Sequence, residues 1–171
     1  MKAKIVYEES MFLIGMGFYG DPFSTHSGWD EENEIGRLWS RFSTFLEKNP
    51  EKIKNRVKED VALEIFFTTE ETMSTGMFEV FVGVIVDKIE KIPLQCVLKQ
   101  LPAGNYAVFT LKGNEITADW QHQIYDITLP ELGYESSCNY NIQYYDQRFK
   151  GLDNIEESEL DVYIPVKKIT G

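Results

Sequence analysis

Only two cysteines and two histidines occur in the 171 residues. Cys96 and Cys138 lie far apart without C-x-x-C spacing, and neither His26 nor His122 has a partner at metal-ligand spacing. A disulfide scaffold and a zinc centre are thereby excluded, and a reducing compartment with both cysteines as small buried hydrophobes is expected. Positive charge is short too. The chain has 17 Lys and Arg against 28 Asp and Glu, a net charge of −11, which repels a phosphate backbone. Direct nucleic-acid binding is not expected. Long apolar runs are missing: "MFLIGMGF" after "YEES" is far too short to span a bilayer, so no membrane segment is expected and the cytoplasm is the default location. No P-loop, GxSxG, HExxH or Rossmann glycine pattern occurs, and "GMGFYG" lacks the strand-then-helix context of a phosphate loop. No metal and no cofactor is expected.

Aromatic residues, in contrast, make up 13% of the chain, which suits a packed sheet or a stacking pocket. The chain also resembles itself. "KIVYEESMFLIGMGF", residues 4–18, aligns without a gap on "QCVLKQLPAGNYAVF", residues 95–109, so that Phe18 falls opposite Phe109. Each copy reads as a short strand, a polar link and a second apolar strand. After the first copy, Ile35, Leu38, Trp39, Phe42, Phe45 and Leu46 recur at helical spacing, with Ser27 or Asp30 as N-cap. After the second, Ile116, Trp120, Ile124 and Tyr125 form one helical stripe, with Asn114 as N-cap and Pro130 and Gly133 ending it.

Two strand-like runs follow each helix: "VALEIFFTT" and "MFEVFVGVIV", then "NYNIQYYDQRF" and "LDVYIPVKK". The expected fold is α+β, one domain over residues 1–171 made of two β-α-β-β repeats of SH2-like type. Repeat one covers about 1–89 and repeat two about 93–171. A single unit could not bury its sheet face, so the two, related by a pseudo-twofold, should share one antiparallel sheet with one long helix each and a ligand cleft between them.

The order of "IPLQCVLKQLPAGNYAVFTLKG", "IYDITLPELGYE", "YNIQYYDQRF" and "ELDVYIPVK" resembles the gyrase-inhibitor-like effector-binding domain, also found as the C-terminal sensor of AraC-type and MerR-type multidrug regulators. The resemblance covers nearly the whole chain and is strongest from Pro93 to Lys168. It implies binding of a small lipophilic or aromatic, often cationic, molecule in a cleft where an acid is surrounded by aromatic rings. The family pattern "fE.YDeRF" falls on Ile142, Gln143, Tyr145, Asp146, Arg148 and Phe149, so the acidic position is a neutral amide here. A second family acid falls on Ile85 of "FVGVIV".

Two acids offer themselves as substitutes. Alternation sets Asp161 and Tyr163 on one face of "ELDVYIPVK", and Glu79 and Phe81 on one face of "MFEVFVGV". The candidate ligand-binding residues are therefore Gln143, Tyr145, Asp161, Tyr163, Trp39, Trp120, Glu79 and Phe81, with Tyr19 a weaker addition. Trp39 and Trp120 occupy matching places on the two helices, where packing alone also accounts for them.

Three functions fit. The first is a free-standing effector-binding protein without a DNA reader, because the first repeat begins at once and leaves no room for one; its output would pass through a protein partner or through sequestration. The second is a hydrolase of strained electrophilic compounds, with Glu79 or Asp161 as base and Tyr145 or Tyr163 as proton donor. The third is a structural or protein-interaction module, as the gyrase-inhibitory relatives suggest.

Overall fold

In the computed structural model every residue except Trp29 is described. The strands are β1 (Ala3–Glu8), β2 (Met11–Gly20), β3 (Ala62–Phe67), β4 (Phe78–Val86), β5 (Val97–Leu101), β6 (Gly104–Lys112), β7 (Tyr134–Ser136), β8 (Tyr140–Tyr145) and β9 (Glu159–Lys168). They form one antiparallel sheet in the order β1-β6-β9-β8-β3-β4-β2-β5, with the short β7 pairing with β9. The fold is α+β. The order is the same from either edge when each first-half strand is exchanged for its second-half counterpart. At the centre β3 pairs with β8, and at the edges the opening strand of each half adds to the other half, β1 to β6 and β5 to β2. Each half therefore completes the sheet of its partner.

The first helix, α1 (Glu34–Lys48), buries Ile35, Leu38, Phe42 and Phe45 in one cluster with Val80, Val82 and Val84 of β4. Its N-cap is neither Ser27 nor Asp30 but Asn33, whose side chain accepts from the Ile35 N–H while its amide donates to the carbonyls of Pro22 and His26. A fully buried amide that ties the incoming loop to the helix start outcompetes exposed caps. Between β3 and β4 lies a single helical turn, α2 (Thr72–Thr75).

The second long helix departs from expectation. Asn114 lies in the middle of a 3₁₀ turn (Gly113–Glu115) and caps no helix, and the helix proper, α3 (residues 120–131), begins after Asp119, whose carboxylate accepts from the His122 N–H. Gly113, at φ +53°, turns the chain out of β6 before the helical stripe starts. Residues Gln123–Thr128 are wound as a π-helix. Pro130 has no N–H to donate in the α pattern, the Leu129 N–H reaches back to the Ile124 carbonyl, and the Thr128 hydroxyl donates to the Gln123 carbonyl at 2.9 Å. Gly133, at φ +76°, ends the helix as expected.

The helices cover one sheet face. On the other, Leu13, Leu63, Ile65, Phe81, Tyr106 and Ile142 form a second buried cluster. Gly15 of β2 lies opposite Gly83 of β4 in the register, and the Phe81 ring lies over this glycine pair. A Cβ on Gly83 would stand 2.6 Å from that ring and 2.8 Å from the Ile14 carbonyl oxygen. Gly83→Ala should therefore destabilise the protein by about 1–3 kcal/mol, read as a lower urea midpoint; an unchanged midpoint would show that the ring is not seated there.

Candidate functional site

Alternation along the two central strands places Glu64 and Phe66 of β3 and Asn141, Gln143 and Tyr145 of β8 on the face beneath the helices. Above them, α1 contributes Trp39 and Ser43, and residues 116–121, the approach to α3 and its first turn, contribute Trp120 from the other half. These groups enclose a cavity of about 1060 Å³, large enough for a drug-sized molecule. The cavity straddles the centre of the sheet, where Glu64 and Gln143 lie directly opposite each other.

Glu64 decides the electrostatics. Its side chain is buried, at 3% exposure, and the Trp39 indole N–H donates to Oε1 at 2.7 Å. Among the described residues no Lys or Arg pairs with it. Burial pushes its pKa up to about 7, and the Trp39 hydrogen bond opposes the rise only partly. Aromatic rings stand around the carboxyl: Trp39 meets Tyr145 edge-on at 5.0 Å, Tyr145 meets Phe149 at 4.8 Å, and Phe66 meets Phe78 at 5.2 Å. Tyr145 is held neutral, its pKa raised well above 10 by burial and then by the Glu64 charge. At the mouth lie Asp30, Glu31 and Asp119. Asp30 is held below the usual carboxylate range, chiefly by its hydrogen bond from His26.

Four of the residues expected from the sequence come together here: Trp39, Trp120, Gln143 and Tyr145. The other four lie elsewhere, because the same alternation that aims Phe78 and Val162 beneath the helices sends their neighbours to the opposite face. Asp161 accepts from Arg148 at 2.7 Å and from the Thr110 hydroxyl at 2.6 Å. Glu79 pairs with Lys99, which also sits over the Phe67 ring at 5.0 Å. Phe81 covers the glycine pair, and Tyr163 packs on Tyr106 and Tyr144. Tyr19 is half exposed and bonded to Thr69.

Sequence reasoning missed Glu64. Two signals pointed to it: a lone acid in the apolar run "VALEIFF", and the internal duplication, which continues through β3 and β8 and matches Glu64 with Gln143. The acid absent from one half stands in the other.

A carboxyl whose folded pKa of about 7 exceeds its unfolded value of 4.5 holds its proton more tightly when folded. Folding stability therefore falls as pH rises from about 4.5 to 7, by about 3 kcal/mol, and stays lower above that range. Glu64→Gln keeps an acceptor for Trp39 and removes the charge. It should raise Tm by roughly 6–12 °C at pH 8 and change it little at pH 4.5; equal Tm differences at the two pH values would mean that the carboxyl is not buried as described.

Three comparisons with known proteins agree with this architecture. Residues 4–166 match the family model of the integron-associated effector binding protein. The transcriptional regulator BrlR of Pseudomonas aeruginosa is 34% identical over 170 residues; the match covers 97% of this chain and 56% of BrlR, so the chain spans about half the length of that relative. Among solved structures, SAV2435 bound to tetraphenylphosphonium superposes with a TM-score of 0.69 over 98% of this chain and 94% of that one, at 15% identity. An integron cassette protein from Vibrio cholerae gives a TM-score of 0.57 over 96% and 95%, at 14% identity. The chain belongs to the integron-associated effector-binding proteins, within the gyrase-inhibitor-like group, and its role is that of a small-molecule-binding domain.

Proposed function

We propose that this chain binds a lipophilic organic cation in the cavity, with Glu64 as its counterion. The observation that carries the reading is a buried carboxyl among aromatic rings with no cationic side chain among the described residues to neutralise it. An ionised carboxylate there is costly by itself. A cation that enters removes that cost, and each ring it faces adds roughly 0.5–2 kcal/mol. The rim acids Asp30, Glu31 and Asp119 and the net charge of −11 raise the local concentration of such ligands. The tetraphenylphosphonium bound by SAV2435 is of this class, and the kinship with BrlR supports a regulatory output reached through a further domain or partner.

Binding should be linked to the Glu64 proton. Of the other cavity groups, Tyr145 is held neutral by burial and Asp30 is held ionised by its hydrogen bond from His26. In calorimetric titrations with tetraphenylphosphonium, whose charge is permanent, affinity should rise about tenfold per pH unit up to about pH 7 and level off above. Glu64→Gln should weaken binding at pH 8 by at least about tenfold and abolish the pH dependence, and mass spectrometry should recover the ligand intact. An affinity indifferent to both pH and Glu64 would overturn the reading, and a converted ligand would make the protein an enzyme.

A further inference from the structure

The two oxygens of the Glu64 carboxyl are not alike. Oε1 accepts from the Trp39 indole N–H at 2.7 Å, whereas Oε2 takes no hydrogen bond. Among the described residues, the polar side-chain atoms that are both unpaired and sealed from solvent are Arg56 Nε and Asn141 Oδ1. Oε2 is neither of these, so it keeps accessible surface, and because Glu64 lines the cavity that surface opens into it.

Trp39 also decides where a proton sits. In a carboxylic acid the carbonyl oxygen is the better acceptor and the hydroxyl is the donor. Oε1 is already engaged as an acceptor, so the neutral acid keeps its carbonyl there and carries its O–H on Oε2. The cavity therefore meets a donor when Glu64 is neutral and a bare anionic oxygen when it is ionised. Nothing packed on the carboxyl brings a compensating charge: α1 gives it Trp39, β8 sets the neutral Gln143 opposite and β4 sets Val82. Among the described residues, the other titratable groups lining the cavity are Tyr145, which donates to Gln143 at 3.4 Å, and Asp30, Glu31 and Asp119 at the mouth; no lysine, arginine or histidine lines it.

We propose that the site takes a second ligand class, neutral lipophilic molecules carrying a strong hydrogen-bond acceptor, bound by the O–H that Glu64 presents on Oε2, with Trp39 fixing which oxygen is presented. This second class rests on the same carboxyl as the cation reading and extends it: the proton that a cation must displace is the one that a neutral ligand uses. The two classes exclude each other, and pH selects between them. Burial raises the carboxyl to about 7, so the exchange falls near neutrality.

The test uses two probes of similar shape, methyltriphenylphosphonium, a permanent cation, and triphenylphosphine oxide, a neutral molecule with a strong acceptor oxygen, titrated calorimetrically from pH 5.5 to 8.5. In wild type, oxide affinity should fall by at least about tenfold between pH 6 and 8.5 while phosphonium affinity rises. In Glu64→Gln an amide N–H₂ replaces the O–H. The oxide should then bind without pH dependence, and at pH 8.5 about tenfold more tightly than to wild type. Glu64→Leu has no donor and should bind the oxide about tenfold more weakly than Glu64→Gln at every pH. Trp39→Phe keeps a ring and removes the N–H that favours the ionised form. Both pH profiles should move up by about one pH unit, which lost packing alone would not produce; unmoved profiles overturn the part given to Trp39. An oxide affinity indifferent to pH in wild type, or equal in Glu64→Gln and Glu64→Leu, overturns the second class alone. A phosphonium that does not bind while the oxide follows the expected profile overturns the cation reading alone, and failure of both probes overturns the two together.

Discussion

The burial of one carboxyl at the centre of the sheet is the constraint on which the candidate site depends. Glu64 is held in place by the Trp39 indole and by ladder bonds on both sides of β3, and rings from both halves stand around it. In water such a group would be ionised and indifferent to its neighbours. Buried, it carries a penalty that no lysine or arginine among the described residues relieves, and the cavity stays open above it. The local chemistry is therefore that of an unfilled countercharge, which is a different thing from a packed core with one polar intruder.

A floor under this kind of strain needs a stiff frame. The exchanged edge strands tie the halves to one another, so that neither can swing away without breaking the β1–β6 or β5–β2 ladder. The loop after β8, which carries Phe149 against Tyr145, is fastened by Arg148. Its guanidinium bridges Asp146 and Asp161 at 2.8 and 2.7 Å, the bidentate geometry in which an ion pair keeps most of its worth. Asp161, a residue the sequence offered as a ligand contact, thus supports the aromatic wall from behind.

The α+β class, the main strands and the first helix were legible because they rest on periodicity: alternation along each strand and the stripe Ile35, Leu38, Phe42, Phe45 are written locally. The family resemblance supplied Tyr145 and Gln143, and the matching helices supplied Trp39 and Trp120. Facing direction was the illegible part. Alternation divides Glu79 and Phe81 from Phe78 and Val80 but does not say which side lies under the helices, since both faces of this sheet are buried. The π-wound stretch of α3 was equally invisible, for it arises from Thr128 and Pro130 acting on carbonyls that a helical stripe does not register.

Glu64 shows how duplication can mislead and inform at once. A pattern drawn from relatives expects the acid at the position of Gln143, and its absence there suggests a neutral site. In the sheet, however, Glu64 and Gln143 stand directly opposite each other at the centre, and a charge placed on either one reaches the same cavity. The frame is symmetric and its floor is not. An acid and a phenyl ring on β3 face two amides and a phenol hydroxyl on β8, so the two sides of the floor differ in the groups they hold. The polarity of the cavity floor is then set by which half carries which polar group. That choice can change by a single substitution while the backbone ladder between β3 and β8 keeps its register.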